Sequence, residues 1–454
     1  MRQLNAQSVA AWSGDGPRTP AHVTTVGVYD GSEAAVSFET FVNAFERRLQ
    51  VLKSFRERVV RVPLGLDDPF WTEDGRFDLD LHVRHVGLPR PGGWHELRET
   101  AASIHAVPLD RERPLWEVYL VDGADDVPGV PMGSFAVVTK VHLAVHGRDD
   151  EPAHTLADVV HDDPPLGAAR WQPEPHPPGW ALIARAAVNV VRRPARRVLG
   201  AGGPHVPGVP KLPALSPEAL WDAPVVVRSS PFNRRVSAHR SFDALVLRAG
   251  EIEGVLASVP GATVDDVVLA VVVGGLRAYL DTKGVTPPDP LVAMVPIPSP
   301  PAGASPTGDA PAATIAALHA DGPDDRLRST AASTRRAVQL AGLGAASPLP
   351  PPRGSSQLAA VGIPLKNPWP SSRQRKCNTA LTHIDALPRG RHLAGAPVVR
   401  WFALGPLTDH VGLVHTVTGV DGSTAVSVTA CRDLLPDPEV YVAQLRQAFD
   451  ALVT

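Results

Sequence analysis

The distribution of proline constrains the fold of this chain more than any other feature of its sequence. Prolines crowd residues 164–234, and a second group runs from Pro348 to Pro370. Proline lacks a backbone N–H and fixes φ, so such stretches interrupt helices and sheets. The 454 residues also exceed what one ordinary hydrophobic core can organise. We therefore predict an N-terminal domain over 1–163, a connector over 164–234 and a C-terminal domain over 235–454, with a mobile Pro-rich segment near 347–375.

Composition and charge narrow the class of protein. The hydrophobic content of 44% and the mean hydropathy of −0.03 are typical of a soluble globular protein, and a net charge of −3 gives no reason to expect a nucleic-acid partner. The two cysteines, Cys377 and Cys431, exclude a disulfide framework or a thiolate zinc site. The chain begins without an apolar signal segment, and no apolar run is long enough to span a bilayer. We expect a cytoplasmic protein.

Hydrophobic periodicity predicts helices and strands in alternation. Apolar residues recur at helical spacing from Phe38 to Leu49, and strict alternation predicts a half-buried strand over 77–83. The same criteria predict a helix over 94–105 and a buried strand over 133–138. They also predict a β-rich region over 398–430 and a closing helix over 438–452. This alternation is typical of an α/β (α+β) protein, with mixed sheets flanked by helices.

The connector contains a predicted helix from Trp180 to Leu199, in which arginines alternate with apolar residues. Its composition fits an amphipathic basic helix lying on an anionic membrane surface, and it equally fits a solvated helix that bridges two domains. Pro194 would kink or end this helix. The first alternative predicts peripheral contact with a membrane or lipid droplet through residues 180–199.

The segment Lys140-Val141-His142-Leu143-Ala144-Val145-His146-Gly147 follows the buried strand. A histidine at the exit of a core strand is held rigidly and can still face a cleft. Its imidazole titrates near neutrality, which suits a general base. His142 is therefore a candidate catalytic residue. The alternative is a core histidine with both ring nitrogens satisfied.

Further motifs occur in a fixed order around this segment. The most specific is Pro108 to Glu117, which contains Pro114, Leu115, Trp116 and Glu117; the others are Phe77–Pro91, Thr263–Ala270, Leu404–Thr408 and Asp433–Asp437. In this order they resemble the motifs of the bacterial wax ester synthase/diacylglycerol acyltransferase family, which belongs to the chloramphenicol acetyltransferase-like and condensation superfamily. The resemblance covers most of the chain.

The resemblance implies two chloramphenicol acetyltransferase-like domains with the active site at their junction. One tunnel would admit acyl-CoA and another the acceptor, a hydrophobic alcohol or diacylglycerol, as in wax ester and triacylglycerol synthesis. The second histidine of the family's His-His-x-x-x-Asp-Gly motif, here His142, would deprotonate the acceptor hydroxyl for direct attack on the thioester. No cofactor, metal or covalent acyl-enzyme is then required, and acyl-CoA is a co-substrate.

The chain departs from the family pattern at several motif positions. Counted back from Gly147, Val141 replaces the leading histidine and His146 replaces the aspartate. Counted forward from Lys140, His142 takes the leading position and Leu143 the catalytic one; we favour the first register. Elsewhere, Asp265 and Asp309 each replace an asparagine, and residues 383–388 replace an Asn-Val-Pro-Gly-Pro stretch. These departures raise a second hypothesis, a catalytically impaired relative that binds lipid, acyl-CoA or a partner protein.

Two motifs and one cluster have alternative roles. Residues Pro114, Leu115, Trp116 and Glu117 line a substrate channel or begin a strand with Trp116 in the core, and we favour the core. Asp265 and Asp266 are expected to be helix-terminal charges rather than reacting groups. A metal site is the third hypothesis, although the spacing matches no zinc signature; its ligands would come from His142, His146, His154, His161, Asp149, Asp150, Asp162 and Asp163.

Overall fold

The computed structural model describes residues 1–33, 36–49, 53–146, 160–161, 178–200, 227–296, 313–319, 322–345, 377–384 and 386–453. Its strands, in chain order, are β1 (Arg2–Gln3), β2 (His22–Tyr29), β3 (Glu57–Val60), β4 (Phe70–Glu73), β5 (Val83–Gly87), β6 (Trp116–Asp122), β7 (Phe135–His142), β8 (Arg240–Leu247), β9 (Leu291–Pro296), β10 (Ala313–Leu318), β11 (Thr379–His383), β12 (His392–Leu393), β13 (Ala396–Leu404), β14 (Leu413–Val420) and β15 (Ser423–Cys431). Its α-helices are α1 (Ala6–Gly14), α2 (Phe38–Leu49), α3 (Trp94–Ala106), α4 (Leu143–His146), α5 (Gly179–Gly200), α6 (Ala249–Ser258), α7 (Val264–Thr282), α8 (Pro323–Ala345) and α9 (Pro438–Val453).

Two mixed sheets of six strands each form the centre of the molecule. The N-terminal sheet has the strand order β12-β13-β2-β7-β6-β5, and the C-terminal sheet has the order β10-β9-β11-β14-β15-β8. Helices pack against both sheets, which confirms the predicted α/β class. The short strands β1, β4 and β3 form a separate sheet.

Strands β12 and β13 come from the C-terminal half of the chain but complete the N-terminal sheet. Strand β13 pairs antiparallel with β2, from Val398 opposite Tyr29 to Leu404 opposite Thr24. The predicted boundary at residue 235 therefore does not separate the two sheets completely.

Helix α3 lies where the two sheets meet. Its residues Leu97 and Ala101 are fully buried in a core that contains Val26 and Val138 of the N-terminal sheet together with Phe242 of the C-terminal sheet. Polar contacts reinforce this junction: Arg98 Nη1 donates to Asp243 Oδ2 at 2.9 Å and to Glu439 Oε2 at 2.8 Å, and Trp94 Nε1 donates to Asp243 Oδ1 at 2.8 Å. The junction is thus well packed on the α3 side.

Helix α7 forms the core of the C-terminal half together with α9. It begins with the predicted cap, since Thr263 Oγ1 accepts from the Asp266 N–H at 3.2 Å and Asp266 Oδ2 accepts from the Thr263 N–H at 2.8 Å. Residues 266–273 are all buried, as expected for a helix that is apolar on most faces.

The strand predicted over 77–83 is wrong for most of its length. Residues Leu79–Leu81 form a 3₁₀ turn, and β5 begins only at Val83. The Asp78 side chain accepts from the Asp80 N–H at 3.1 Å. Such a local side-chain bond offers the backbone an alternative to strand pairing, although the residues alternate in polarity.

Helix α5 occupies the residues predicted to form the connector helix. Its residues Leu182 and Ala186 are buried against Val62 and Phe70. Within the described ranges, no helix is both long enough and apolar enough to cross a membrane. The predicted mobile segment at 347–375 lies outside the described residues.

Candidate active site

His142 is the last residue of β7, an interior strand of the N-terminal sheet. Its backbone N–H donates to Leu115 O at 3.1 Å, and the N–H of Leu143 donates to Ala21 O at 2.8 Å. The backbone is therefore fixed by both neighbouring strand ends at the point where it leaves the sheet and enters α4. This is the rigid strand exit that the sequence predicted.

The imidazole of His142 is 1% exposed and has two distinct environments. Its Nδ1 accepts a hydrogen bond from the Ala144 N–H at 3.0 Å. In the neutral ring Nδ1 therefore carries no hydrogen, and the proton resides on Nε2. Nε2 lies 3.7 Å from Asp15 Oδ2 and has no hydrogen-bond partner among the described residues. His142 thus presents a buried N–H to a carboxylate.

Asp15 follows α1, and three groups surround its carboxylate. Oδ1 accepts from the Ala21 N–H at 2.9 Å, and Oδ2 lies 3.8 Å from Arg111 Nε in addition to its contact with His142. Burial alone would raise the pKa of the Asp15 carboxyl, but His142, the Ala21 N–H and Arg111 outweigh it and hold the pKa below its usual value. Asp15 is therefore an anion at neutral pH that can stabilise positive charge on His142.

Trp12 shields this pair from solvent. Its ring meets His142 edge-on at a centroid distance of 6.0 Å, and the Arg111 guanidinium lies 3.7 Å from the Trp12 ring centroid. Arg111 Nη2 also donates to Trp12 O at 2.8 Å. Because the side chains of His142 and Asp15 are only 1% and 5% exposed, the charge interaction between them is stronger than it would be at the surface.

A second histidine faces His142 from the adjacent strand. The register of β2 and β7 places His22 directly opposite His142, and opposite residues of an antiparallel pair point to the same face of the sheet. His22 is fully buried, and its Nε2 lies 2.8 Å from His105 O. Burial, and then the neighbouring His105 and Lys140, lower the pKa of His22 well below its usual value, so that this ring is neutral.

The buried polar groups continue from His22 toward the C-terminal half. His105 Nδ1 lies 2.8 Å from Thr24 Oγ1, and His105 Nε2 lies 3.2 Å from Gly405 O, just beyond the end of β13. Burial lowers the pKa of His105 to about 3. His105 therefore links His22 to the segment that follows β13, and the location of the active site at the domain junction stays a prediction.

Lys140 lies two residues before His142, on the same face of β7. It is fully buried, and its Nζ contacts Glu117 Oε2 at 2.8 Å and donates to Val107 O at 2.9 Å. Tyr119 Oη donates to the same Glu117 oxygen at 2.8 Å. Glu117 thus compensates a buried ammonium close to the site.

The residues that precede Glu117 in its motif, Pro114, Leu115 and Trp116, pack in the hydrophobic core, border a pocket, or do both. Leu115 and Trp116 are buried, and Trp116 Nε1 donates to Phe55 O at 2.7 Å. A pocket of about 180 Å³ lies beside the start of β6. Its walls include Pro114, Trp116 and Glu117 together with Leu81, His82, Arg84, Leu109, Asp110 and Arg113. Trp116 therefore packs in the core and also borders a cavity, while its role as a channel residue stays a prediction.

Asp265 and Asp266 lie in the first turn of α7. Asp266 caps the helix and also accepts from Thr334 Oγ1. Asp265 Oδ1 lies 3.4 Å from His383 Nδ1 at the end of β11. Two of the positions at which the chain departs from the family pattern, 265 and 383, are therefore in contact as an ion pair whenever His383 is protonated.

The remaining predicted site residues are only partly described. Val141 is buried on the opposite face of β7 from His142, in the core around Trp116. Helix α4 ends at His146, whose side chain, like Gly147, lies outside the described part of the chain. Within that part, no three His, Cys, Asp or Glu side chains are grouped to hold a metal ion. Asp149, Asp150, His154, Asp162 and Asp163 of the metal hypothesis, and the departure at Asp309, also fall outside it.

Sequence reasoning missed Asp15 and His22. Both approach His142 because β2 pairs with β7, so that residues just before and at the start of β2 lie beside the end of β7. The available signal was an acidic residue between two glycines, Gly14-Asp15-Gly16, shortly before a strand that itself begins with histidine. That signal becomes specific only once the strand pairing is known.

Two family models match the chain. The wax ester synthase/diacylglycerol acyltransferase catalytic domain matches residues 4–268, and the C-terminal domain of the same family matches residues 313–453. A putative diacylglycerol O-acyltransferase of Mycobacterium tuberculosis is 31% identical over 92% of this chain and 89% of the relative. Another from Mycobacterium bovis is 27% identical over 99% of this chain and 90% of the relative.

Solved structures show the same architecture. The wax ester synthase/diacylglycerol acyltransferase from Marinobacter aquaeolei has a TM-score of 0.67 at 23% identity, covering 99% of this chain and 98% of that chain. The first condensation domain of the calcium-dependent antibiotic synthetase has a TM-score of 0.53 at 14% identity, with 100% and 97% coverage. The starter condensation domain of rhizomide synthetase, solved with C8-CoA, has a TM-score of 0.52 at 11% identity, with 100% and 94% coverage.

At these identities the structures establish the fold, and the family models and the curated relatives establish the family. The motifs of the sequence, the two joined sheets and these matches lead to one conclusion. This chain belongs to the wax ester synthase/diacylglycerol acyltransferase family.

Proposed function

We propose that the chain is an acyl-CoA-dependent O-acyltransferase that moves a fatty acyl group to the hydroxyl of a hydrophobic alcohol or diacylglycerol. The observation that carries this proposal is the buried pair formed by His142 and Asp15. The motif of this chain lacks the family's aspartate, but Asp15 brings a carboxylate to 3.7 Å from the His142 imidazole. The chain therefore retains an acid–base centre despite the altered motif, which favours an active enzyme over an impaired relative.

The proposed step uses His142 as general base. The acceptor hydroxyl gives its proton to Nδ1 while its oxygen attacks the thioester carbon; the C–S bond then breaks, and the CoA thiolate recovers the proton from the imidazolium. Asp15 stabilises the imidazolium through Nε2. Because Nδ1 accepts from the Ala144 N–H, the acceptor has to displace that amide, which requires a shift of α4. The step needs no metal, bound cofactor or covalent acyl-enzyme.

Acyl-CoA as donor is supported by the family and by the related condensation fold solved with C8-CoA. The test is ester formation from labelled long-chain acyl-CoA with a panel of long-chain alcohols and diacylglycerol, with products identified by mass spectrometry. We expect ester that depends on both substrates. Hydrolysis of acyl-CoA without ester, or binding without turnover, would overturn the proposal.

We also propose that α5 brings the protein to an anionic lipid surface. Trp180, Ile183 and Val188 of this helix are 73%, 41% and 46% exposed, whereas its Leu182 and Ala186 are buried. The helix contains five arginines and no acidic residue. Exposed apolar side chains with arginines in the same helix fit the interface of a membrane that contains anionic lipids.

This second proposal is tested by sedimentation with vesicles of phosphatidylcholine, with and without phosphatidylglycerol. We expect binding that requires phosphatidylglycerol, weakens with salt and falls at least fivefold in Trp180→Ser/Val188→Ser. Met132→Ser, which changes another side chain that is 77% exposed, is the matched control and should bind like wild type. Equal binding by the double variant would exclude α5 as the contact.

A further inference from the structure

We propose that His22 is a positioning residue for His142: from the neighbouring strand it offers an acceptor that the Nε2–H of His142 reaches by a small rotation of the two rings, which are not hydrogen-bonded to each other in this structure. The inference rests on the proposed role of His142 in proton transfer, and it assigns a function to a residue outside every motif of the sequence. In the altered motif, Val141 replaces the leading histidine. The pairing of β2 with β7 nevertheless places a second histidine, His22, beside His142.

The tautomer of His22 is fixed by its surroundings. His22 Nε2 lies 2.8 Å from the carbonyl oxygen of His105, which can only accept, so Nε2 carries the proton. The ring is neutral, which leaves Nδ1 as an acceptor. Nδ1 is buried and has no hydrogen-bond partner among the described residues.

His142 shows the complementary pattern. Its Nδ1 accepts from the Ala144 N–H, so Nε2 carries the proton and is a buried donor without a hydrogen-bond partner within the same ranges. Asp15 Oδ2, at 3.7 Å, supplies charge but is too distant for a hydrogen bond. A buried donor and a buried acceptor therefore lie on side chains directly opposite each other in the β2–β7 register.

The consequence for catalysis concerns which nitrogen of His142 takes the proton. With the proton on Nε2, the basic nitrogen is Nδ1, and protonation at Nδ1 strengthens the attraction of the Nε2–H to Asp15 and to the acceptor on His22. The charged and titratable groups around this centre are Asp15, which follows α1, Arg111 from the loop between α3 and β6, His22 from β2, Lys140 from β7 and His105 from α3.

Two substitutions of His22 separate positioning from packing. His22→Gln can still donate to the His105 carbonyl but has no acceptor at the Nδ1 position. His22→Asn places an amide oxygen near that position but loses the contact with His105. Thr25→Val is the matched control, because it removes a hydroxyl from the opposite face of β2, where it contacts Thr139, while leaving the partners of His22 and His142 unchanged. Each variant is compared with wild type by kcat, KM for acyl-CoA, pH profile, melting temperature and ¹⁵N NMR of the histidine rings.

We expect kcat to fall about tenfold in His22→Gln, with KM for acyl-CoA within twofold of wild type. His22→Asn should recover most of kcat, and Thr25→Val should stay within twofold of wild type. In NMR, His142 should be the Nε2–H tautomer in both proteins, because the Ala144 N–H fixes it, and the Nε2 resonance should shift in His22→Gln because the hydrogen bond to His22 is lost.

Equal losses of kcat in His22→Gln and His22→Asn, matched by equal losses of melting temperature and with an unchanged Nε2 resonance of His142, would overturn the proposal and leave His22 a packing residue. The NMR measurement needs no turnover. If the wild type forms no ester, the proposed acyl transfer fails while the Nε2 resonance of His142 still decides whether His22 positions it.

Discussion

Two buried histidines lie in interior strands of the two sheets, and their surroundings differ. His415, in β14 of the C-terminal sheet, has both ring nitrogens in hydrogen bonds: Nδ1 lies 3.0 Å from Thr379 Oγ1, and Nε2 lies 2.9 Å from Tyr441 Oη. Thr379 Oγ1 donates to Leu413 O, so it accepts from His415 Nδ1, and Tyr441 donates to Nε2. His142, in β7 of the N-terminal sheet, has one nitrogen bonded and the other facing a carboxylate.

The difference separates a structural histidine from a reactive one. Burial lowers the pKa of His415 to about 3, and no carboxylate is among the causes, so this ring stays neutral. His142 lies beside the Asp15 carboxylate, whose own pKa is held below its usual value partly by His142. Burial and position in a strand are shared by both residues, and only the partner atoms distinguish them.

The largest expected effect comes from His142→Ala. Loss of a general base lowers kcat by about 10²–10⁴-fold, since binding and orientation of the substrates are retained. Initial rates of ester formation at saturating acyl-CoA measure this effect. A kcat within threefold of wild type, with the variant folded by circular dichroism, would place His142 in the same structural class as His415.

Asp15→Asn should have the next largest effect. The substitution preserves size and an acceptor for the Ala21 N–H, but it removes the charge that stabilises protonated His142. Two unit charges about 4 Å apart interact by about 4 kcal/mol at an effective dielectric constant near 20. Part of this loss is offset, because Arg111 already weakens the field of Asp15 and the asparagine amide is still polar. We therefore expect kcat to fall about 100-fold. Asp409→Asn, which alters a carboxylate in contact with Arg18, is the control and should leave kcat within twofold.

His415→Ala should lower the stability of the protein and leave kcat nearly unchanged, the reverse of what we expect for His142→Ala. It leaves Tyr441 Oη buried without its acceptor and opens a cavity, which costs about 2–4 kcal/mol of unfolding free energy. The kcat of the folded variant should stay within threefold of wild type. Urea unfolding and initial rates on the same preparations check both parts, and a selective loss of kcat without loss of stability would contradict the assignment.

The smallest expected effect is on the pH dependence of the unfolding free energy, which should differ between wild type and His415→Gln. His105 and His415 have pKa values of about 3 in the folded chain, below the ordinary value of 6.5. Between these values the unfolded chain binds protons that the folded chain does not, so stability falls as pH drops from 6.5 toward 3, by up to about 1.4 kcal/mol per pH unit for each histidine. His415→Gln should therefore flatten the curve by about that slope, measured by urea unfolding from pH 7 to pH 4.5.

Much of the fold was predictable because it depends on local patterns. Helices α2, α3, α7 and α9 follow apolar spacing and capping residues that act over a few positions. The prediction over 77–83 was wrong because Asp78 makes a local bond to the backbone, which periodicity does not register.

The candidate site was predictable only in part. His142 lies within a motif, but Asp15 and His22 reach it through the pairing of β2 with β7, across more than 110 residues of chain. The crossing of β13 into the N-terminal sheet likewise depends on its pairing with β2, a strand more than 360 residues earlier in the chain. Neither pairing is specified by alternation within a single strand.

The most direct test of this account is CoA thiol release with a long-chain alcohol, measured side by side for wild type, His142→Ala and His415→Ala. The account predicts that His142→Ala loses at least 100-fold in acceptor-dependent rate while His415→Ala retains the wild-type rate at a temperature where it is folded. Equal rates for His142→Ala and wild type would contradict the claim that the His142–Asp15 pair carries the chemistry.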